Sequence, residues 1–452
     1  MSNVLSRLCF HKNGKPRRWL RKTLVRRDGK IRSVFRRIVF KKNGKPRQRF
    51  SEWILSGSPI NKTKHVREHI AIRTAALRPL TVYQDTNPVQ RINLVTDSVG
   101  PSSLFGGVGT AIIVASLWAK KTNSTLRIIT RTEKPHTNAV ASVLKANKLE
   151  LEINVEFEYS PHFNANAVSI SSKDLFLATS WWTARSLLNT VPAERIVYLL
   201  QEDERMFYPY GDDHLECSKT LAAPFALVLV NSNILCQHLT NGGHAIQKPA
   251  AKYLSFEPAF TYSPRNVSTK PREKYKLFFY ARPNNPRNLY YTGLDLLNKA
   301  VQRGVLDARK WELHAVGKGS EELSFDSDFS TFNHSPMPWA EYVEFLKGMD
   351  AGFSLMYTPH PSYPPLDMAA TGVPVLTNRF GIKTDLKMYS DNIICKDLSE
   401  EDMMFGFQEL TKLAEDPAEC ERRMRSDSIR RDWKETLSEL ITELQALSKK
   451  DY

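Results

Sequence analysis

Two cations and a small set of carboxylates stand in this 452-residue chain where chemistry could be done. Arg282 follows the apolar run 276–280, and Lys318 follows the run 312–316 inside Gly-Lys-Gly. Both runs read as short buried strands, so both cations stand just past strand carboxyl ends, where open α/β sheets bind ligands. A fixed pair of cations there suits a diphosphate leaving group. The plainer alternative is a pair of surface charges. Arg287 lies in the same loop as Arg282. Glu202, Asp203 and Glu204 follow a third strand, 196–200, in QEDERMFYPYG, and are either site groups or a solvated acidic turn. Asp97 ends the run INLVT, and the small-residue stretch behind it carries Gly106, Gly107 and Gly109. Glycines there let the backbone approach a ligand closely, or simply make a turn.

The stretch 350–378, DAGFSLMYTPHPSYPPLDMAATGVPVLTN, holds the last candidate. Residues 351–356 read as a buried strand, and a loop with Pro359, Pro361, Pro364 and Pro365 follows. A short helix is expected over 366–371, with Pro365 suited to its first turn and Gly372 as its C-cap. A second strand occupies 373–377. Asp367 then falls in the first turn, where free N–H groups suit a phosphate. Its carboxylate either accepts hydrogen bonds from a sugar hydroxyl or stabilises its own helix. Asp326 and Asp328 form an isolated D-x-D in a polar loop and read as solvated. No zinc-protease, P-loop or nucleophile-elbow motif is present.

PPLDMAATGVPVLTN resembles the nucleotide-sugar motif of the retaining GT-B glycosyltransferases of family 4, E-x7-E-A-M-A-x-G-x-P-V. Within them the chain is most similar to bacterial rhamnosyltransferases that build surface polysaccharide from dTDP-L-rhamnose. Asp367 matches the second Glu, which in the family holds the nucleotide's pentose. The first Glu would fall at Pro359 and is absent, with His360 its neighbour. Arg282 and Lys318 match the positions that hold the donor phosphates, and Arg287 matches the family's Lys less closely. QEDERMFYPYG resembles Q-D-Y-E-x-x-F-Y-P-x-G of related polysaccharide transferases, and the glycines match the family's glycine loop. The resemblance implies two Rossmann-like domains with parallel sheets facing a cleft. It implies transfer of a 6-deoxyhexose, L-rhamnose, with retention and without a metal or other cofactor, from a nucleotide sugar to a lipid-linked or polysaccharide acceptor. Asp203, Arg282 and Lys318 become the catalytic candidates. Gly106, Gly107, Asp97, Glu202, Arg287, His360, Tyr363, Leu366 and Asp367 become the substrate-binding ones. Two rival readings are a UDP- or GDP-hexose transferase and a non-catalytic glycan-binding scaffold, the second favoured by the missing Glu.

The elements that must position these residues alternate. Strands are expected at 92–96, 126–130, 155–159, 175–179, 196–200 and 226–231, with helices at 110–121 and 139–147. That is the pattern of an α/β domain with a parallel sheet. The proline-rich stretch 258–274 reads as an interdomain linker. A second domain follows, with strands at 276–280 and 312–316 and a helix over 289–303. Ser428 to Leu447 carries Ile429, Trp433, Leu437, Leu440, Ile441, Leu444 and Leu447 at helical spacing. In GT-B folds the last helix crosses back onto the first domain. The expected boundaries are 1–57, 58–262, 263–427 and 428–452.

Charge marks off the first of these. Residues 1–50 hold 18 of the 64 Lys/Arg and one of the 48 acids, so the rest of the chain is close to neutral. The tail repeats every 15 residues: FHKNGKPR (10–17), VRRDGKIR (25–32) and FKKNGKPR (40–47) align on Gly14, Gly29 and Gly44. Val34, Phe35, Ile38 and Val39 share one helical face, while each Asn-Gly or Asp-Gly is a turn signal that also suits hairpins. A basic helix with an apolar stripe fits an anionic membrane surface. A disordered basic tail is the plain alternative, and nucleic acid is the less favoured partner. The five scattered cysteines point to a reducing compartment and no structural zinc. The longest apolar run, 111–119, is too short to span a bilayer, and no secretory h-region follows the basic start. The expected location is the cytoplasm, peripheral on the inner face of the cell membrane.

Overall fold

A computed structural model describes residues 65–86, 89–101, 104, 106–163, 165–241, 246, 251–266, 273–319 and 321–450. The chain divides into two compact units, 1–74 and 75–452. In the first, the described part is the helix Val66–Arg73, capped by His65 Nδ1 accepting from the Arg67 N–H, with no buried residue. The basic repeat lies outside the described residues.

The second unit begins its strands with β1 (Val82–Gln84), β2 (Arg91–Thr96), β3 (Thr125–Thr130), β4 (Val155–Tyr159), β5 (Val168–Ile170), β6 (Leu175–Ala178), β7 (Ile196–Leu200), β8 (Leu227–Asn231) and β9 (Tyr253–Phe256). β1 and β5 pair as a small parallel ribbon. The others form one parallel sheet in the order β4-β3-β2-β6-β7-β8-β9. Every residue of β2, β6, β7 and β8 is buried, which is why these strands read as continuous apolar runs rather than alternating ones. Among the buried polar exceptions, Arg91 and Asn93 of β2 and Arg127 of β3 form one network with Asp174. Arg91 donates to both Asp174 oxygens, at 2.9 and 3.0 Å, and Arg127 Nε donates to Asn93 Oδ1 at 2.6 Å.

A second parallel sheet holds β10 (Tyr275–Tyr280), β11 (Trp311–Val316), β12 (Thr331–His334), β13 (Ala351–Phe353), β14 (Val375–Asn378) and β15 (Ile393–Lys396), in the order β12-β11-β10-β13-β14-β15. Both sheets are doubly wound, so each has a switch point where the strand order reverses, at β2 and at β10. Asp97 and the glycine stretch follow β2, and the Arg282 loop follows β10. This is an α/β fold of GT-B type, with two Rossmann-like domains.

Several elements differ from the sequence expectation. β12 is absent from it because Thr-Phe-Asn-His is an edge strand without an apolar run. β13 stops at Phe353, because the backbone beyond it turns into the proline loop. The helix before β14 spans Tyr363–Thr371, three residues longer at its start, with Pro364 and Pro365 both inside its first turn. The helix expected over 110–121 starts at Gly107, so Gly107 and Gly109 lie in its first turn and Gly106 is its N-cap. The 428–447 stripe is broken. Residue 430 bridges Ala259, and the helices Trp433–Thr436 and Ser438–Leu447 follow. Trp433, Leu437, Leu440, Ile441, Leu444 and Leu447 join the core beneath the first sheet, whereas Ile429 joins that of the second. Trp433 Nε1 donates to Asn147 Oδ1 at 2.9 Å, and Trp118 Nε1 donates to Ser448 Oγ at 2.8 Å, tying the chain's end to the first domain.

Candidate active site in the interdomain cleft

The carboxyl ends of the two sheets meet, because their loops bond across a seam. Tyr363, which opens the helix Tyr363–Thr371, places its hydroxyl 2.7 Å from Thr110 Oγ1 and accepts from Asn231 Nδ2 at 2.7 Å. Asn231 ends β8, and Thr110 lies in the first turns of the helix after β2. Asn231 Nδ2 also donates to Gln201 Oε1 at 3.3 Å, and Gln201 Nε2 donates to the Gly107 carbonyl at 2.7 Å. A Cβ at Gly107 would stand 3.0 Å from Gln201 Nε2, so the amide would have to shift by a few tenths of an ångström to admit one. Gly106 has a φ of 77°, in the region that glycine enters without strain.

Glu202 is the hub of the seam. Its Oε2 accepts from Arg287 Nη1 at 3.0 Å and from Thr358 Oγ1 at 3.2 Å, both contributed by the second domain. Burial pushes its carboxyl up to about 7, against the pull of Arg287 and of the backbone N–H of Asp203. The Arg287 guanidinium stacks on the Phe207 ring, 4.2 Å from its centroid. Arg287 therefore faces a carboxylate here, rather than standing open beside Arg282.

Asp203 is placed differently from a reacting carboxylate. Its Oδ1 accepts from Arg205 Nε at 2.8 Å, and its Oδ2 is 2.7 Å from Arg205 Nη2 and 3.0 Å from His238 Nε2. Burial alone would raise it, but the bonds with His238 and Arg205 outweigh burial and hold it down at about 2. Both oxygens are committed, so its position is that of a brace. Glu204 turns inward, accepts from the Trp181 N–H and the Tyr198 hydroxyl, and is pushed up to about 8 by burial. The acidic triplet is thus neither solvated nor one site: each carboxyl has its own partners.

Arg282 and Lys318 come together as their strands predict. β10 and β11 are neighbours, with Tyr280 opposite Val316, and the Ala281 N–H donates to the Val316 carbonyl at 2.9 Å. A Cβ on Gly317 would overlap the Ala281 carbonyl oxygen, so the two loops lie backbone to backbone. Both cations are exposed, and neither has a carboxylate partner among the described residues. Arg282 Nη1 donates to the Tyr280 hydroxyl at 3.1 Å.

Asp367 lies in the second turn of its helix, not the first, because the helix starts earlier. It is buried, its Oδ1 accepts from the Tyr262 hydroxyl at 2.8 Å, and burial pushes it up to about 8. Pro364 and Pro365 remove two N–H groups from the first turn, which leaves fewer donors for a phosphate than the sequence suggested. The Leu366 side chain packs into the core, so only its backbone can face a ligand. Asp97 accepts from Trp182 Nε1 at 2.9 Å, and its Oδ1 has no partner among the described residues. His360 is buried, its Nδ1 accepts from the Ser362 N–H at 2.9 Å, and its Nε2 has no partner among the described residues. Burial, then the nearby Lys383 and Arg287, push its imidazole down to about 3, so it is neutral with the proton on Nε2.

Lys383 escaped the sequence reading. It is fully buried, and its Nζ donates to the carbonyls of Met356, at 3.0 Å, and His360, at 3.4 Å, bracing the proline loop. Burial lowers it to about 8. The cue that marked Arg282 and Lys318, a cation just past a strand's carboxyl end, points after β14 to Arg379, which pairs with Asp397, and not to Lys383 five residues on. Among the described residues no cluster of His, Cys, Asp or Glu is placed to hold a metal. Asp326 is exposed and accepts from Asn298 and Gln302, which ties its turn to a helix.

Comparison with known proteins agrees with this geometry. The chain is similar in structure to TarM (TM-score 0.55, 8% identity, 78% of this chain and 98% of that one). It is similar to the sucrose-phosphate synthase tll1590 of Thermosynechococcus elongatus (TM-score 0.51, 12% identity, 79% and 99%). A trehalose 6-phosphate synthase of Burkholderia multivorans aligns at a TM-score of 0.51, with 10% identity over 80% and 97%. At such identities these likenesses speak for the fold. In sequence, 206 residues, 45% of the chain, are 30% identical to the O-antigen biosynthesis protein RfbC of Myxococcus xanthus, and the match spans 15% of that protein's length. Residues 91–232 match the WsaF N-terminal domain, and residues 275–408 match the WsaF C-terminal domain. The two switch-point loops fall inside these two matches, so the chain pairs a WsaF N-terminal domain with a WsaF C-terminal domain on a GT-B fold.

Proposed function

We propose that the protein is a glycosyltransferase that extends a surface polysaccharide, drawing a 6-deoxyhexose, L-rhamnose, from dTDP-L-rhamnose with retention. The observation that carries the reading is the exposed pair Arg282 and Lys318 on neighbouring strand ends, across a seam from Glu202, Asn231 and Gly107. The O-antigen biosynthesis relative and the two WsaF domains support the polysaccharide context. The rhamnosyl donor and retention rest on the motif around Asp367.

The roles follow from electrostatics. Cleavage of the sugar–phosphate bond leaves negative charge on the diphosphate, and two fixed cations stabilise that charge more in the transition state than in the ground state. Glu202 faces the sugar and acceptor. Held at about 7, it exists in both protonation states near neutral pH and can take or hand on a hydroxyl proton. Asp367, close to neutral in charge at pH 7, hydrogen-bonds the pentose once Tyr262 releases it. Fixed cations do the electrostatic work without a metal, so activity persists in EDTA. Loss on chelation and recovery with Mg²⁺ would return Asp326 and Asp328 to consideration.

The deciding experiment is a thermal-shift panel of dTDP-, UDP- and GDP-sugars, followed by transfer to O-polysaccharide fragments with the product anomer read by NMR. Stabilisation of about 2.7 kcal/mol is expected from dTDP-L-rhamnose at 100 times its Kd. Stabilisation by a UDP- or GDP-hexose instead gives the site a different donor. The position of the family's first Glu is taken by Pro359, which favours a second reading as a glycan-binding scaffold. Neither transfer nor donor hydrolysis with any sugar decides for that scaffold. The basic repeat 1–57 is proposed to hold the protein on the anionic inner face of the cell membrane, beside a lipid-linked acceptor.

A further inference from the structure

Buried polar atoms without a partner are rare, and each one marks an ordered water or a ligand. Two of them belong to the seam, one from each domain, and the surrounding bonds fix their chemistry. The Gly107 carbonyl can only accept, so Gln201 turns its Nε2 to it and its Oε1 to Asn231. Asn231 therefore gives its Nδ2 to Gln201 and to the Tyr363 hydroxyl. Its Oδ1 is left without a partner among the described residues, on a residue with no exposed surface. The Ser362 N–H can only donate, so His360 Nδ1 carries no proton. The leftover atom of His360 is then Nε2 with its hydrogen, on a residue 3% exposed. One leftover atom is an acceptor and the other a donor. His360 lies between Thr358, which bonds Glu202, and Tyr363, which bonds Asn231 and Thr110. Tyr363 neighbours both residues: its hydroxyl is 2.7 Å from Asn231 Nδ2, and its ring centroid is 5.9 Å from that of His360.

We infer that His360 Nε2–H and Asn231 Oδ1 read the hydroxyls of a substrate sugar. The inference rests on the transferase reading and names the groups that recognise the sugar in the same cleft. A phosphate at neutral pH mainly accepts and an ammonium only donates, whereas a hydroxyl does both. A single hydroxyl, or two neighbouring ones on a pyranose, thus meets a leftover donor and a leftover acceptor. Burial keeps the imidazole neutral, so neither residue offers a charge to a charged group. The sugar carried by the donor and the sugar at the acceptor's end share this chemistry. A nucleobase edge shares it too, but it is present in the free nucleotide as well, so binding separates the two cases. Both leftover atoms are shut from water, so a sugar reaches them when the bonds of Tyr363 to Thr110 and Asn231 part.

Calorimetry on the full-length protein tests the assignment with three sets of probes. These are dTDP-L-rhamnose, UDP-glucose and GDP-mannose, then the free nucleoside diphosphates, then O-polysaccharide fragments. His360→Leu and Asn231→Leu each raise the Kd for a nucleotide sugar, or for the fragments, about five-fold or more. His360→Gln, which keeps an N–H at that place, stays within about two-fold. Affinity for the free nucleoside diphosphate stays within about two-fold in every variant, which reports an intact fold and phosphate site. Loss confined to the nucleotide sugar assigns the two atoms to the transferred sugar, and loss confined to the fragments assigns them to the acceptor. The inference is overturned if His360→Leu binds every probe as wild type does, which leaves an ordered water only. It is overturned equally if the leucine variants lose the free diphosphate as strongly as the sugar, if His360→Gln is as weak as His360→Leu, or if wild type binds no sugar-bearing probe. Sugar affinity that depends on His360, in a protein that transfers no sugar, overturns the transferase reading and leaves the two atoms their role.

Discussion

Arg282 and Lys318 show how a residue can be placed by strand order alone. Each sits just after a run that buries itself, and the parallel pairing of β10 with β11 puts both at one edge. A charge-assisted hydrogen bond to phosphate is worth about 1.5–3 kcal/mol, so Lys318→Ala and Arg282→Ala should each weaken dTDP binding by about ten-fold or more in calorimetry. Unchanged affinity in both variants would remove the diphosphate assignment. Burial sets a second residue-scale expectation. Glu202, Glu204 and Asp367 sit at about 7, 8 and 8 in the folded chain, above their ordinary 4.5 and 3.8. Their stabilisation is complete below the ordinary values and is lost as pH rises through the raised ones. His360 works the other way up to its ordinary 6.5, where its buried neutral ring stops being disfavoured. Between pH 6.5 and 8 the carboxyls are therefore unopposed by it, and the melting temperature should fall by about 3 °C. Asp367→Asn, which keeps an acceptor for Tyr262, should flatten that slope; an equal slope in the variant would mean that Asp367 titrates elsewhere. Asp203, at about 2, contributes stability that is lost only as pH falls from 3.8 through 2, well outside this window.

At the scale of elements, glycines and prolines decide where the loops lie. Gly317 allows the Arg282 loop and the Lys318 loop to touch backbone to backbone, so Gly317→Ala should separate the two cations without removing either. Nucleotide affinity is expected to drop about ten-fold with the charges intact, read by the same calorimetry. An alanine variant that binds dTDP as wild type does would mean that the spacing of the two loops is immaterial. The central strands were legible because buried parallel strands are apolar on both faces, as in β7, and the edge strand β4 was legible from its Val-Glu-Phe-Glu-Tyr alternation; both match the expected bounds residue for residue. Helix starts were less legible. The helix Tyr363–Thr371 begins early because Pro364 and Pro365, which mark a break in most contexts, are equally suited to a first turn. The helix Trp181–Leu188 carries a capping box of Ser180 with Thr183, and the expected Glu or Gln at that position is absent, which hid it.

Across the whole molecule, a near-neutral body and a basic repeat call for separate tests. Each Lys or Arg near an anionic surface adds about 1 kcal/mol, and the repeat also keeps an apolar stripe that nucleic acid has no use for. Deleting residues 1–57 should abolish sedimentation with anionic liposomes and spare transfer to a soluble acceptor. Changing Trp19, Leu20, Phe35 and Ile38 to Ser, with every charge kept, should weaken liposome binding strongly; binding like wild type would leave an electrostatic tail or a protein partner instead. Fold class, strand positions and the pairing of Arg282 with Lys318 could be read from the chain, because they depend on periodicity and on neighbours along a strand. What stands opposite what across the seam could not. Glu202 meets Arg287 and Thr358, and Tyr363 meets Asn231 and Thr110, only because the carboxyl ends of two sheets are docked. The same docking separates three adjacent acids into a hub, a brace and a buried cap, since a charge's partners and its desolvation are properties of the packed molecule and not of its neighbours in sequence.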